Sequence, residues 1–245
     1  MKVKMKIHRF NPEIDEEPHF DVFEVEANIN DRILDCLNKI RWEQDSTLSY
    51  RMSCAHGICG SDAVNINGIP ALACQKLVKD YENTQELVIE PLKYFPIIKD
   101  LIVNMEPFFK RIGSIQPSTP KQDQIQTDPT EKEKLQTVED RTKIDDAIKC
   151  ILCGCCVAAC PVILEQEPRF IGPAAVLREE KYIFDSRASP IDTVERMHIM
   201  ENPCGIWGCK SYYMCTIVCP KGIKVTEQIL KTKKKIIQEL HPKRE

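Results

Sequence analysis

Cysteine spacing constrains this chain more than any other feature, because one spacing occurs twice. Residues Cys150-Ile-Leu-Cys153-Gly-Cys155-Cys156-Val-Ala-Ala-Cys160-Pro161 contain the frame C-x2-C-x2-C-x3-C-P. The run Cys209-Lys-Ser-Tyr212-Tyr-Met-Cys215-Thr-Ile-Val-Cys219-Pro220 repeats it, with tyrosine in the second place. A different pattern lies upstream, Cys54-x4-Cys59-x2-Asp62 followed by Cys74. Thirteen cysteines in 245 residues could form a disulfide framework. Against that, Met1-Lys-Val-Lys-Met-Lys-Ile offers no apolar secretory stretch, so reduced thiolates fit better.

Thiolates at these intervals suit iron–sulfur clusters. A C-x2-C-x2-C loop wraps three corners of a cuboidal cluster, and the distant C-P of the other run supplies the fourth. Cys150, Cys153, Cys156 and Cys219 are thus expected around a [4Fe-4S] centre. The reciprocal set is Cys209, position 212, Cys215 and Cys160; with tyrosine at 212, three thiolates remain and a [3Fe-4S] centre follows. Structural zinc prefers two C-x2-C pairs closing one tetrahedron, which these overlapping triplets do not match. Upstream, Cys54, Cys59, Asp62 and Cys74 have the plant-type [2Fe-2S] spacing with a carboxylate in the third place. Iron accepts carboxylate oxygen, although a turn aspartate bonding the backbone would read the same way. Ten cysteines are then used. Cys36 is expected to pack as an apolar thiol, Cys155 lies off the frame, and Cys204 is a spare ligand or a packing residue. His56, between two ligands, is expected to cover or tune the cluster.

Alternating apolar residues predict strands at Val3-Met5-Ile7 and Phe20–Val25, and further strands at Ala63–Gly68 and Leu87–Ile89. Ile33, Leu34, Leu37 and Ile40 have helical spacing behind Asn30 or Asp31 as cap. The reading is α+β: residues 1–104 as a β-grasp, plant-type [2Fe-2S] domain, and 105–245 as a helical, bacterial-type two-cluster domain. A polar linker is expected at about 114–136, with Gln116–Lys134 poor in core-forming residues. Thr137-x-x-Asp140 predicts a capped helix toward Ile144, Ala147 and Ile148. A final amphipathic helix carries Val225, Ile229, Ile236, Ile237 and Leu240, with Lys231–Lys235 as a solvated face. The formal charge of −3 gives no electrostatic case for nucleic acid.

Taken together, Ser53-Cys54-Ala-His-Gly-Ile-Cys59-Gly-Ser-Asp62, Asn65-Ile-Asn-Gly68, Phe170-Ile-Gly-Pro-Ala174, Asp185-Ser-Arg187 and Cys215-Thr-Ile-Val-Cys219-Pro-Lys-Gly222 resemble the iron–sulfur subunit of succinate dehydrogenase and fumarate reductase. The resemblance implies a partner flavoprotein with covalent FAD that interconverts succinate and fumarate. Electrons would pass through the two-, four- and three-iron centres to a membrane anchor subunit and quinone. The chain would then lie peripherally on the cytoplasmic side of the membrane and would not itself bind the dicarboxylate. Tryptophan commonly follows the first C-P in this family, but here Val162-Ile-Leu164 follows, and Lys210 stands where histidine is often found. Pro161 alone carries over as a quinone-site candidate. Another flavin dehydrogenase, a thiol-linked fumarate reductase and a free ferredoxin are the alternatives; near-neutral charge favours permanent interfaces over transient docking.

Overall fold

Alternation in the first nine residues makes an interior strand. β1 (Lys2–Arg9) buries Val3, Met5 and Ile7 and sits between two partners. It pairs antiparallel with β2 (His19–Glu26), from Lys2↔Glu26 to Arg9↔His19. Helix α1 (Ile33–Glu43) buries Ile33, Leu34, Cys36, Leu37 and Ile40, the apolar face that its spacing predicts. Cys36 is a packed core thiol, as expected, and burial pushes it up to about 11. The cap differs from expectation. Arg32, rather than Asn30 or Asp31, is the N-cap, because the Asp35 carboxylate reaches back to accept its N–H at 3.0 Å.

A hairpin follows. β3 (Ala63–Ile66) and β4 (Ile69–Leu72) are joined through Asn67 and Gly68, both left-handed, as a tight hairpin turn requires. The pattern predicts a strand only as far as Gly68; β4 follows it although its proline and alanine carry little strand signal. β5 (Leu87–Glu90) runs parallel to β1 and antiparallel to β3, so the sheet order is β2-β1-β5-β3-β4. Short β6 (Ile97–Lys99) and β7 (Ile102–Val103) pair with each other. This mixed sheet against one helix is the β-grasp arrangement expected.

The rest is helical: α2 (Glu106–Gly113), α3 (Val138–Thr142), α4 (Asp145–Ile148), α5 (Cys155–Ala158), α6 (Pro173–Ile183), α7 (Pro190–Met200), α8 (Met214–Ile217) and α9 (Val225–Leu240). The computed structural model describes residues 1–115 and 135–242; the expected linker at Gln116–Lys134 lies outside them. Two compact units emerge. One comprises 1–107, 151–159 and 217–220; the other comprises 108–150, 160–216 and 221–245.

Within the second unit, the Thr137 hydroxyl caps α3 by accepting the Asp140 N–H at 3.0 Å, as expected. The helix it opens does not run through to Ile148. It breaks at Ile144, whose φ of −116° and ψ of 0° leave the helical geometry before α4 begins. Lys231–Lys235 also departs from a solvated face. Lys231 donates to Glu180 at 2.9 Å and to the Lys143 carbonyl, and lies over the Phe184 ring, while Lys233 donates to the Cys209 carbonyl at 2.8 Å. Buried carboxylates on α6 recruit these cations: Glu180 takes Lys231 from α9, and Glu179 takes Arg196 from α7 at 2.8 Å.

Two outcomes test these packing arguments. In the first unit, the buried Arg9 guanidinium holds Asp100 at 3.2 Å, Asp21 at 3.0 Å, Asp45, and the Thr47 hydroxyl at 2.8 Å. Arg9→Met should cost about 3–5 kcal/mol in denaturant unfolding, because Asp100, 1% exposed, loses its cation. In the second unit, burial pushes the Glu179 carboxyl up to about 7, against the pull of Arg196. A raised acid favours the fold at low pH, and that contribution is lost as pH rises from about 4.5 to 7. The stability of wild type relative to Glu179→Gln should therefore fall across that window; a flat difference would show that Glu179 has no raised affinity for a proton.

Candidate metal centres

The first group forms where the loop after α1 meets the turn after β4. Backbone N–H groups of Ile58 and Cys59 donate to Cys54 Sγ at 3.4 and 3.2 Å. Left-handed Ala55, Gly57 and Gly60 curl the loop into this shape. The N–H of His56, then the Cys59 and Ile58 donors, pull the Cys54 thiol down to about 6, which favours thiolate. Asp62, buried, accepts the Cys74 N–H at 2.6 Å, and its carboxylate also meets the Cys74 thiol. Burial and then Asp62 push that thiol up to about 12, and the Cys54 charge adds to the effect. Cys59 Sγ lies 3.1 Å from Ser61 Oγ. Cys54, Cys59, Asp62 and Cys74 are thus neighbours. His56 is exposed, with Nδ1 2.5 Å from the Cys54 carbonyl oxygen, so it covers the loop rather than joining the thiols.

Cys153, Cys155, Cys156 and Cys219 belong to the same unit as this loop, whereas Cys150 falls in a segment of the other unit. The Cys155 thiol, buried on α5, donates to Cys153, which lowers Cys153 and raises Cys155 well above the ordinary thiol range. The charges of Cys156 and Cys219 raise Cys155 further, so Cys219 approaches the first run despite its distance in sequence. Cys155, off the frame in sequence, is therefore a donor to a frame cysteine. Gly60 touches this run: a Cβ on Gly60 would stand 2.8 Å from Cys153 Cβ and 3.2 Å from the Ile151 carbonyl.

The second run repeats the backbone of the first. Leu152 and Ser211 hold φ of 55° and 59°, and Gly154 and Tyr213 hold 84° and 63°. α5 starts at Cys155 and α8 at Met214, the same offset from Cys150 and Cys209. Tyr212 therefore occupies the backbone position that Cys153 has in the first run. Cys160, Cys209, Cys215 and Tyr212 line one cleft with Pro161, Val162, Phe170, Pro173, Met214 and Ile229. Burial raises the Cys160 and Cys215 thiols, and the Cys209 charge raises both. The Tyr212 hydroxyl accepts from Gln166 Nε2 at 2.8 Å at the cleft's edge.

Spacing arguments missed several residues here. Cys215 Sγ lies 3.3 Å from Thr226 Oγ1, and the Thr216 hydroxyl accepts the Thr226 N–H at 2.9 Å, tying α8 to the start of α9. Lys233 meets the Cys209 carbonyl from two turns further along α9. Cys204 lies outside the cleft lining, and its carbonyl accepts the Ile171 N–H at 2.9 Å. No local signal marks Thr226 or Lys233, because their partners are brought to them by helix packing. Among the described residues, no three His, Cys, Asp or Glu side chains form a group that could hold a lone metal ion.

Comparison with known proteins agrees with this geometry. Residues 4–110 match the family described as a 2Fe-2S iron-sulfur cluster binding domain, and residues 146–223 match a 4Fe-4S dicluster domain. The succinate dehydrogenase iron-sulfur subunit of Coxiella burnetii is 39% identical over 235 residues, covering 95% of this chain and 96% of that protein. The fold is similar to a chain of the Mycobacterium smegmatis Sdh1 complex in the apo form, with TM-score 0.86, 24% identity and 99% coverage of both chains. It is also similar to a hypothetical protein from Helicobacter pylori, with TM-score 0.59 and 16% identity, over 99% of this chain and 41% of that one. With paired thiol loops on a β-grasp domain and a helical dicluster domain, this chain belongs to the family of succinate dehydrogenase iron–sulfur subunits, the electron-transfer members of their complexes.

Proposed function

We propose that this chain holds three iron–sulfur centres and relays electrons between a flavoprotein carrying FAD and a membrane anchor with quinone as acceptor. The ligands are Cys54, Cys59, Asp62 and Cys74 for [2Fe-2S]; Cys150, Cys153, Cys156 and Cys219 for [4Fe-4S]; and Cys160, Cys209 and Cys215 for [3Fe-4S]. The observation that carries the reading is the cleft lined by Cys160, Cys209 and Cys215, with Tyr212 in the fourth corner. When bound, such clusters take up and release one electron at a time.

The chain's own residues place and insulate these centres. N–H groups aimed at Cys54 stabilise a thiolate before any iron arrives. Thr226 beside Cys215 orients that sulfur within an otherwise apolar wall, and buried Phe170 keeps water out. Gly60 lets the first loop lie directly against Cys153, which shortens the gap an electron would cross between two-iron and four-iron sites. Pro161 lines the same cleft as the three-iron thiols, which supports a quinone close to that centre. No helix among the described residues is long and apolar enough to cross a membrane. The proposed attachment is through an anchor subunit, on the cytoplasmic side.

Two substitutions test the ligand assignment. Low-temperature EPR of the oxidised wild type should give a three-iron signal, and reduction should add a two-iron signal. Tyr212→Cys should convert the three-iron centre to a four-iron one and slow succinate-linked reduction of the acceptor, while flavin reduction stays normal. Persistence of the three-iron signal in that variant would mean that position 212 does not face the cluster. Asp62→Cys should keep the two-iron centre but shift its EPR spectrum and lower its potential, since thiolate donates more charge to iron. Spectra and potential identical to wild type would show that the carboxylate serves only to hold the Cys74 N–H.

A further inference from the structure

Arg32 stands apart from the ligand spacing yet converges on the two-iron group. Its backbone is the N-cap of α1, and that helix end docks on the strip carrying Cys74. The Ile33 N–H donates to the Lys76 carbonyl at 2.9 Å and the Leu34 N–H to the Ala73 carbonyl at 3.0 Å. The guanidinium has two faces. Nε and Nη2 form a fork on the two Asp35 oxygens, each at 2.9 Å, which fixes the orientation of the plane. Nη1 points away from Asp35 and donates to the Ala55 carbonyl at 2.6 Å, one residue beyond Cys54. The charges of Cys74 and Asp62 both act on this guanidinium.

We infer that Arg32 is a positioning residue of the two-iron centre, holding a fixed positive charge over the Cys54 loop and raising the centre's reduction potential. The inference rests on the two-iron reading of Cys54, Cys59, Asp62 and Cys74. The step concerned is simple: one electron arrives from the reduced flavin of the partner flavoprotein and later leaves, with no bond formed or broken. Adding it makes the cluster and its ligands more negative, so a nearby cation stabilises the reduced state more than the oxidised one. Asp35 offsets only part of this effect, because it occupies the far side of the fork while Nη1 faces the ligand loop. Arg32 and Asp35 side chains are 39% and 30% exposed, so solvent screens the charge and the effect is modest.

The test is an EPR-monitored redox titration of the two-iron signal in the intact complex, for wild type, Arg32→Gln and Arg32→Lys. Arg32→Gln should lower the equilibrium constant for reducing this centre about tenfold, which is 59 mV for one electron. Arg32→Lys, which keeps the charge but cannot hold the fork and Ala55 together, should stay close to wild type. An unchanged potential in Arg32→Gln overturns the inference, as does an equal fall in both variants. Should Arg32→Gln retain no two-iron cluster, Arg32→Lys decides: a wild-type potential supports the role of the charge, and a lowered potential or a lost cluster overturns it. Absence of a two-iron signal from wild type itself would instead refute the ligand reading on which the inference rests.

Discussion

Thiolates that face inward from a tight loop need backbone N–H groups turned toward sulfur, and residues of positive φ help a short loop to turn them. This chain meets the requirement with residues of positive φ in every cysteine loop: Ala55, Gly57 and Gly60; Leu152 and Gly154; Ser211 and Tyr213. Four of these seven carry side chains and so hold strain, of order 1–3 kcal/mol each. Strain of that size persists only where the surroundings over-determine it. Here the sheet behind the first loop, the short helices α5 and α8 that begin after the other two, and the packing of α9 provide that support.

The two halves of the chain stabilise their loops by different means. In the first unit, β1, β2 and the loop after α1 are tied to the segment before β7 by one buried arginine. Arg9 answers Asp21, Asp45 and Asp100, while Asp100 also takes the Phe10 and Ser49 N–H groups at 3.0 and 2.8 Å. In the second unit, buried carboxylates on α6 take cations from α7 and α9, and α9 in turn reaches the Cys209 carbonyl and the Cys215 sulfur. A polar network inside a helical bundle costs desolvation, but it specifies how α9 sits against the cysteine run. Apolar contacts alone would let the helix rotate or slide.

Close approach is the third demand. Gly60 serves it twice, by adopting φ of 69° and by leaving no Cβ to collide with Cys153. A side chain there would push apart the Cys54 loop and the segment carrying Ile151 and Cys153. The Asp62 carboxylate meets Cys74 and the Cys155 thiol meets Cys153 within the same unit.

What the amino-acid order determined was the identity of the metal-binding frames. Thiolate spacing is local, and C-x2-C-x2-C with a following C-P names a cluster loop wherever it occurs. Period-two and period-3.6 patterns likewise exposed β1, α1, β5 and α9, because one face of each is buried. Tertiary structure alone decided the rest. Arg32 displaced Asn30 and Asp31 as cap because Asp35 could reach back to it; α3 and α4 separated at Ile144; and β4 formed from residues with little strand preference because β3 was there to pair with. Lys231 and Lys233, read from the sequence as a solvated run, were drawn inward by Glu180, Phe184 and the Cys209 carbonyl. Their partners lie many residues away, and no local pattern encodes a contact whose energy exists only after the chain has folded.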